Sequence, residues 1–295
     1  MEYIISVLLS GISVGGQYAL IAIGYTMVYG ILRLINFAHG DVFMVAGLIA
    51  IYLAGSLPLY LVLPLVVIFT FILAYCIEYV AYRPLRQAPR MSVMISAIGV
   101  SYLLQNAATY VTGGQPMTYP TIPGLSATVT IAGTPTKWVV ILTPILVAVL
   151  VLLLTFMINR TKIGMAMRAV AKDMETAQLM GIKINRVISA AFVIGSALAA
   201  IGSILYFTNY NAVVPTIGAL PGLKAFVAAV FGGIGSIPGA VIGAFIIGIC
   251  ETVIKSLPSA WDVSVFSDAF TFALLIVILV FKPTGLFGEK ATDKV

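Results

Sequence analysis

Six long apolar runs constrain this chain more than any other feature. A helix rises 1.5 Å per residue, so about 20 apolar residues cross the roughly 30 Å of bilayer hydrocarbon. Hydrophobic residues make up 61% of the chain and charged residues 9%, against about 25% charged residues in soluble domains. The fold class predicted is all-α, a polytopic transmembrane helical bundle formed by 1–295 as a single transmembrane domain. The runs are Tyr3–Ile31, Tyr60–Val80, Met91–Tyr110, Trp138–Ile158, Val187–Phe207 and Phe266–Phe281.

The basic residues predict an orientation in the membrane. Of the 16 Lys and Arg residues, 13 fall at alternate connections between the runs. Basic connections stay on the cytoplasmic side, which predicts an outer N-terminus, an inner C-terminus and a cytoplasmic loop at 159–186. The exceptions are Lys137, Lys224 and Lys255. The 13 are Arg33, Arg83, Arg86, Arg90, Arg160, Lys162, Arg168, Lys172, Lys183, Arg186, Lys282, Lys290 and Lys294.

This orientation requires 218–254 to begin and end outside. A Gly/Pro-rich stretch at 231–239 divides the segment into halves of about 16 residues, which is short for a full crossing. We predict a short, broken or re-entrant helix pair, for a total of about eight spans. Gly232, Gly233 and Gly235 are candidates for a translocation path or gate, because interrupted helices often line one. Glycines that only permit close helix packing are an equally open interpretation.

A second polar interruption follows the first run, at Asn36, His39 and Asp41. These residues precede a short apolar run, so capping of a helix start is the favoured interpretation and contact with a substrate or gate the alternative. Gln17 lies within the first run, where it either bonds a neighbouring helix, the favoured interpretation, or lines a path. One histidine and one aspartate are too few for a metal site, so none is predicted.

The cytoplasmic loop carries a short polar helix near 172–181. Asp173 suits the N-cap, and Glu175 places an acid at the positive end of the helix dipole. Gly181 suits a left-handed helix end. The residues predict a rigid element for docking in a protein groove, although Met165, Met167, Leu179 and Met180 also allow a helix lying on lipid.

Several motifs are together similar to the branched-chain amino-acid ABC permease family, of the LivH type. Glu175, Thr176, Ala177 and Gly181 resemble the Glu-Ala-Ala-x-x-x-Gly signature of ABC importer permeases, with threonine in place of the first alanine. The resemblance covers nearly the whole chain in order. Its other parts are Gly-Gly-Gln-Tyr-Ala-Leu at 15–20, Leu-Ile-Asn-Phe-Ala-His-Gly-Asp at 34–41, Met-Arg-Ala-Val-Ala at 167–171 and Phe-Gly-Gly-Ile-Gly-Ser-Ile-Pro-Gly-Ala at 231–240.

The resemblance implies a transport subunit of a bacterial inner membrane. A second homologous permease would complete the translocation path, and two cytoplasmic ABC ATPases would receive the coupling helix formed around Asp173 to Gly181. A periplasmic substrate-binding protein would deliver leucine, isoleucine or valine. ATP and Mg would be cofactors of the ATPases, with no cofactor in this chain. A relative carrying urea, amides or other amino acids stays open, as does an ion-coupled secondary transporter.

The sequence argues against other classes. It has no paired carboxylates or histidine cluster for an intramembrane enzyme and no Gly-x-x-x-x-Gly-Lys-Ser/Thr phosphate loop, and its basic residues follow the membrane rule rather than a nucleic-acid surface. Glu78 and Glu251, the candidate ion sites of a secondary transporter, are expected near span ends where both reach water. Cys76 and Cys250 are expected to be buried structural thiols.

Overall fold

A computed structural model describes residues 2–131, 133–257 and 263–288. The described chain is a bundle of helices, which confirms the predicted fold class. Within the described residues, seven helices are long and apolar enough to cross a membrane, and two apolar helices, His39–Ala54 and Ala219–Gly232, are shorter. The total of about eight spans stays a prediction. The helices are α1 Glu2–Leu32, α2 His39–Ala54, α3 Leu59–Ile77, α4 Arg90–Thr112, α5 Trp138–Arg160, α6 Lys162–Lys172, α7 Met174–Leu179, α8 Ile184–Tyr210, α9 Ala219–Gly232, α10 Ile237–Lys255 and α11 Ser267–Phe281.

The two ends of the bundle differ in structure. At one end, called the hairpin end, β2 (Thr128–Ile131) and β3 (Thr134–Lys137) form an antiparallel hairpin before α5. At the same end, β1 (Met117–Thr118) pairs with β4 (Ala212–Val213). The opposite end, called the basic end, is where α1, α3, α5 and α11 finish. It carries most of the basic residues of the sequence.

Helix α1 is the centre of the bundle and packs most extensively against α10. The two run antiparallel at glycines: a Cβ on Gly248 would lie 2.3 Å from the Cα of Gly15, and a Cβ on Gly11 would lie 3.0 Å from the Cα of Ile249. Lipid is as apolar as leucine, so association in a membrane depends on van der Waals packing, and small residues let backbones approach. These glycines therefore hold α10 directly against α1.

Helix α2 begins inside the bundle rather than at its surface. After α1 the chain turns at Arg33, which has a φ of 55°, and the ring of His39 then packs on Gly24, where a Cβ would lie 2.1 Å from the ring Nε2. Gly24 lies eight residues before the end of α1, which places the start of α2 about 12 Å inside the basic end. The short length of α2 follows from this starting point.

Helix α9 begins next to the start of α2. A Cβ on Gly40 would lie 2.5 Å from the Gly218 carbonyl oxygen, and one on Gly222 would lie 2.7 Å from the Gly40 Cα. The helices then diverge, since the α2 residue Tyr52 donates to the Val111 carbonyl at the far end of α4. Helix α9 instead ends at Gly232, beside residues that follow α11. The N-termini of two short helices therefore meet within the bundle.

The broken pair expected at 218–254 exists, but its halves are unequal. Helix α9 has 14 residues and α10 has 19, so the prediction that both are too short to cross is wrong for α10, which meets the length criterion. Close packing also accounts for Gly243, which follows the Gly/Pro-rich stretch. A Cβ there would lie 2.3 Å from the Ala228 carbonyl oxygen.

The lateral surface is apolar, as expected of a face toward lipid. It includes Leu103, Leu152 and Phe156, each more than half exposed. Cys76 is also exposed and Cys250 only partly buried, so the prediction of two buried thiols is wrong. Cys76 faces outward because Thr70 and Ala74 occupy the inward side of α3.

Overpacking the contact between α1 and α10 should destabilise the protein. We expect Gly248→Leu to lower the free energy of unfolding by about 1–3 kcal/mol, because the added atoms meet the α1 backbone. The measurement is thermal unfolding of the purified protein in detergent. Gly99→Leu is the matched control, since no atom lies within 4 Å of a Cβ at Gly99. Equal melting temperatures for the two variants would contradict the assigned contact.

Candidate functional site

The short helix α7 of the basic end is capped at its start as the sequence predicts. The Asp173 carboxylate accepts from the backbone N–H groups of Glu175 and Thr176, each at 3.1 Å. It also accepts from the Thr176 hydroxyl at 2.8 Å. The threonine that replaces alanine in the signature thus adds a hydrogen bond to the cap. The first turn is therefore fixed by side chains of the motif itself.

The end of α7 is fixed by glycine. Gly181 has a φ of 82°, and its N–H donates to the Gln178 carbonyl while that of Ile182 donates to the Ala177 carbonyl. This pair of bonds is the Schellman arrangement, which favours glycine at the left-handed position. The predicted helix terminus is confirmed.

Helix α7 is attached on one side and exposed on the other. Ala177 is 4% exposed, whereas Leu179 and Met180 are 87% and 79% exposed. Glu175 and Thr176 are exposed as well. Helix α6, which the sequence analysis did not distinguish, precedes α7 and packs against it and α8. The amphipathic spacing of Gly164, Met167 and Val170, the buried residues of α6, is the signal that would have identified it.

A pocket of about 300 Å³ lies where α2 and α9 begin. Asp41 lines it and is 1% exposed. Its carboxylate accepts from the Ser101 hydroxyl at 2.5 Å and from the Gln105 amide at 3.1 Å, both on α4. Sequence analysis missed Ser101 and Gln105, although two polar residues four apart in an apolar run share one helix face. The lining comprises Tyr25, Phe37, Gly40, Asp41, Ile98, Ser101, Tyr102, Gln105, Gly218, Ala219, Gly222, Leu223 and Phe226.

Asn36 and His39 lie near this pocket but do not line it. Asn36 accepts from the Tyr82 hydroxyl at 2.6 Å. The His39 ring is buried between the α1 backbone and Tyr25, with ring centroids 5.0 Å apart. Neither caps α2, because Ala38 is the N-cap and no side chain bonds there. The favoured capping interpretation is therefore wrong, and both residues instead hold the 33–38 connection in place.

The other predicted path residues are dispersed. Gln17 is fully buried, and its amide has no hydrogen-bond partner within the described residues, so the expected bond to a neighbouring helix is not formed. Gly232 and Gly233 are buried in the turn after α9, where the Phe287 N–H donates to the Gly232 carbonyl. Gly235 is exposed with a φ of 101°. A side chain there would meet open space, so backbone conformation alone favours glycine.

A charged cluster joins α9, α10 and α11 toward the hairpin end. Lys224 lies 2.7 Å from Glu251 and 2.6 Å from Asp268, and Lys255 lies 2.5 Å from Glu251. The Tyr18 hydroxyl also donates to Glu251 at 2.9 Å. Glu251 is 2% exposed, so the prediction that it reaches water is wrong. Lys224 and Lys255, two of the three lysines outside the basic connections, thus pair with acidic side chains.

Glu78 is also buried, so the prediction that it reaches water is wrong. It lies in a π-helical turn, Glu78–Tyr82, after α3, and is fully buried. Its carboxylate pairs with Arg86 and accepts from the Ser189 hydroxyl at 2.7 Å. Burial lowers the pKa of the Arg86 guanidinium, and the nearby Glu78 charge opposes that shift. The pair therefore ties the connection before α4 to the start of α8.

The described residues contain no group of three or more His, Cys, Asp or Glu side chains arranged to hold a metal ion. Two polar features have a geometry suited to binding a partner or a ligand. They are the capped helix α7 at the basic end and the pocket at the starts of α2 and α9.

Comparisons with known proteins cover almost the whole chain. The family model for the branched-chain amino acid transport system / permease component matches residues 7–279. The chain is 41% identical to the high-affinity branched-chain amino acid transport system permease protein BraD of Pseudomonas aeruginosa, over 98% of this chain and 97% of the relative. It is 40% identical to the LivH permease of Salmonella typhimurium and 39% identical to that of Escherichia coli K12, each over 99% of this chain and 98% of the relative.

A solved structure has a similar fold. A metal-chelate type ABC transporter in an inward-facing conformation gives a TM-score of 0.50 at 15% identity, with 95% of this chain and 88% of that chain covered. At this identity the likeness concerns the fold alone. The family match and the full-length relatives show that this chain belongs to the family of branched-chain amino acid ABC transport permeases.

Proposed function

We propose that this chain is the membrane-spanning permease subunit of an ABC importer and forms the translocation path for leucine, isoleucine and valine. The observation that carries the proposal is the identity of 39–41%, over nearly full length, to permeases named for branched-chain amino acid transport. ATP-driven leucine uptake by the reconstituted complex tests it. Uptake of urea or a short amide in place of leucine would overturn the substrate assignment.

The complex would contain a second homologous permease, two cytoplasmic ABC ATPases and a periplasmic substrate-binding protein, in a bacterial inner membrane. ATP with Mg would bind the ATPases. Hydrolysis would switch the permeases between outward-facing and inward-facing states, as domain rocking does in other transporters. The basic end would then face the cytoplasm.

Helix α7 would be the coupling element. It presents Leu179 and Met180 almost fully exposed, and apolar surface of this kind at a rigid, capped helix suits a groove in a partner. Its buried Ala177 packs on the neighbouring helices, and α7 contacts α8. A push on α7 would therefore be transmitted to α8, which packs along α1, α2 and α3.

Disrupting α7 should weaken the association of the ATPases and thereby abolish transport. Glu175→Lys puts a cation at the positive end of the helix, at a cost of about 0.3–1 kcal/mol. Gly181→Val places a β-branched residue at positive φ, at about 1–3 kcal/mol. We expect normal membrane insertion with weaker ATPase association and lost uptake, measured by co-purification and by transport in proteoliposomes.

Gly124→Val is the control for the glycine change. Gly124 has a φ of 88° and, like Gly181, no atom within 4 Å of an added Cβ, so both substitutions impose similar backbone strain. Only the change at Gly181 should weaken ATPase association. Wild-type association in Glu175→Lys combined with Gly181→Val would show that α7 is not the coupling element.

The proposed orientation can be mapped with single cysteines. In a variant lacking Cys76 and Cys250, Gln115→Cys should react with a membrane-impermeant maleimide in intact cells. Lys172→Cys should react only after permeabilisation, because the basic loops are retained inside. Labelling at position 172 in intact cells would reverse the assignment. The predicted inner position of Lys290 and Lys294 concerns residues outside the described ranges.

The isolated subunit should not bind nucleotide, since its sequence has no phosphate loop. We expect no ATP binding to the purified, partner-free protein at millimolar nucleotide, measured by isothermal titration calorimetry. The assembled complex with its ATPases is the positive control. Micromolar affinity in the isolated subunit would contradict the assignment of ATP to the partners.

A further inference from the structure

We propose that the pocket at the starts of α2 and α9 binds the α-amino acid itself during passage. Asp41 would pair with the substrate ammonium group, and the N-terminus of α9 would face its carboxylate. The aliphatic side chain would lie against the apolar part of the lining. This assignment rests on the proposed transport function and names the residues that would contact its substrate.

Among the residues that the structure describes, the buried carboxylate of Asp41 has no basic partner. Its carboxylate is almost fully buried, and its recorded hydrogen bonds come from two neutral groups, the Ser101 hydroxyl and the Gln105 amide. No ion pair joins it to a base within the described residues, whereas the buried acids Glu78 and Glu251 both have one. An unpaired carboxylate at membrane depth is costly and marks a functional site. A ligand cation is the partner that this geometry lacks.

The N-terminus of α9 lies at the same pocket. Gly218 is the N-cap of α9, and Ala219 and Gly222 of its first turns line the pocket. The positive end of the α9 dipole makes this a favourable place for an anion. Helix α9 has 14 residues, and a Cβ built on Gly218 would lie 2.9 Å from the Cα of Asp41. An anionic site and a cationic site therefore adjoin, as a zwitterion requires.

The remaining walls suit an aliphatic side chain. Phe37, Ile98, Leu223 and Phe226 line the same pocket. Its volume of about 300 Å³ is at the small end for ligand sites. Ile98 and Leu223 are also exposed at the surface of the bundle, so the second permease of the complex would close the open side. A neutral amide would leave Asp41 without its cation, which favours amino acids over urea.

Direct binding tests this assignment without the substrate-binding protein. Radiolabelled leucine is added to the purified complex of permeases and ATPases, without nucleotide, in a scintillation proximity assay. We expect saturable binding that isoleucine displaces and that 4-methylpentanoate, which lacks the ammonium group, does not. Asp41→Asn should weaken leucine binding about tenfold or more, as for loss of a charge-assisted bond. Asp41→Glu, which keeps the charge, should retain part of it.

Glu2→Gln is the matched control, because Glu2 is an exposed carboxylate at the opposite end of α1. It should bind leucine as the wild type does. Co-purification of the ATPases and the size-exclusion profile of the complex should be unchanged in Asp41→Asn, which separates loss of the site from misfolding. Loss of either in Asp41→Asn would mean that Asp41 is a structural residue and would overturn the assignment.

The outcomes distinguish this inference from the proposed function. If the wild-type complex takes up leucine and Asp41→Asn binds and transports it equally well, the pocket assignment is wrong and the transport function stands. Leucine uptake by a wild-type complex that shows no saturable leucine binding would also overturn the pocket. If the wild-type complex shows no ATP-driven leucine uptake, the transport proposal itself fails, and the pocket assignment fails with it.

Discussion

The close backbone contact between α1 and its neighbours is the constraint on which the rest of the structure depends. Helices in lipid gain little from hydrophobic burial, so contact distance decides how strongly they associate. Gly15 and Gly248 bring α10 against α1, and Gly24 admits both His39 and the backbone of Gly195 on α8. A larger side chain at any of these positions would separate the helices of the bundle core.

The packing of the His39 ring on Gly24 also places the start of α2 inside the bundle. Gly40 then lies against Gly218 and Gly222, so α9 also starts there and both helices are short. Two helix N-termini buried in a membrane need partners for their N–H groups. Here they adjoin a buried carboxylate and a pocket. The discontinuity thus places polar groups beside a pocket within the bundle.

The charges of the bundle are distributed by the same physics. Glu251 and Glu78 are buried, and each is compensated by basic and hydroxyl neighbours, which fits structural roles that join helices. Asp41 has neutral neighbours instead. Helix α7 shares no hydrogen bond or ion pair with these acids within the described residues and meets the core through Ala177 and α8. The structural ion pairs, the proposed substrate pocket and the proposed coupling helix therefore involve different residues of one fold.

The sequence by itself determined the features that depend on near neighbours. The Asp173 cap, the Gly181 terminus and the break near Gly232 are local, because each follows from residues within a turn or two. Tertiary structure decided the burial of Glu78 and Glu251, the exposure of Cys76 and the pocket that joins Asp41 to Ser101 and Gln105. These depend on residues tens to hundreds of positions apart, and hydropathy alone does not say which face of an apolar helix meets protein rather than lipid.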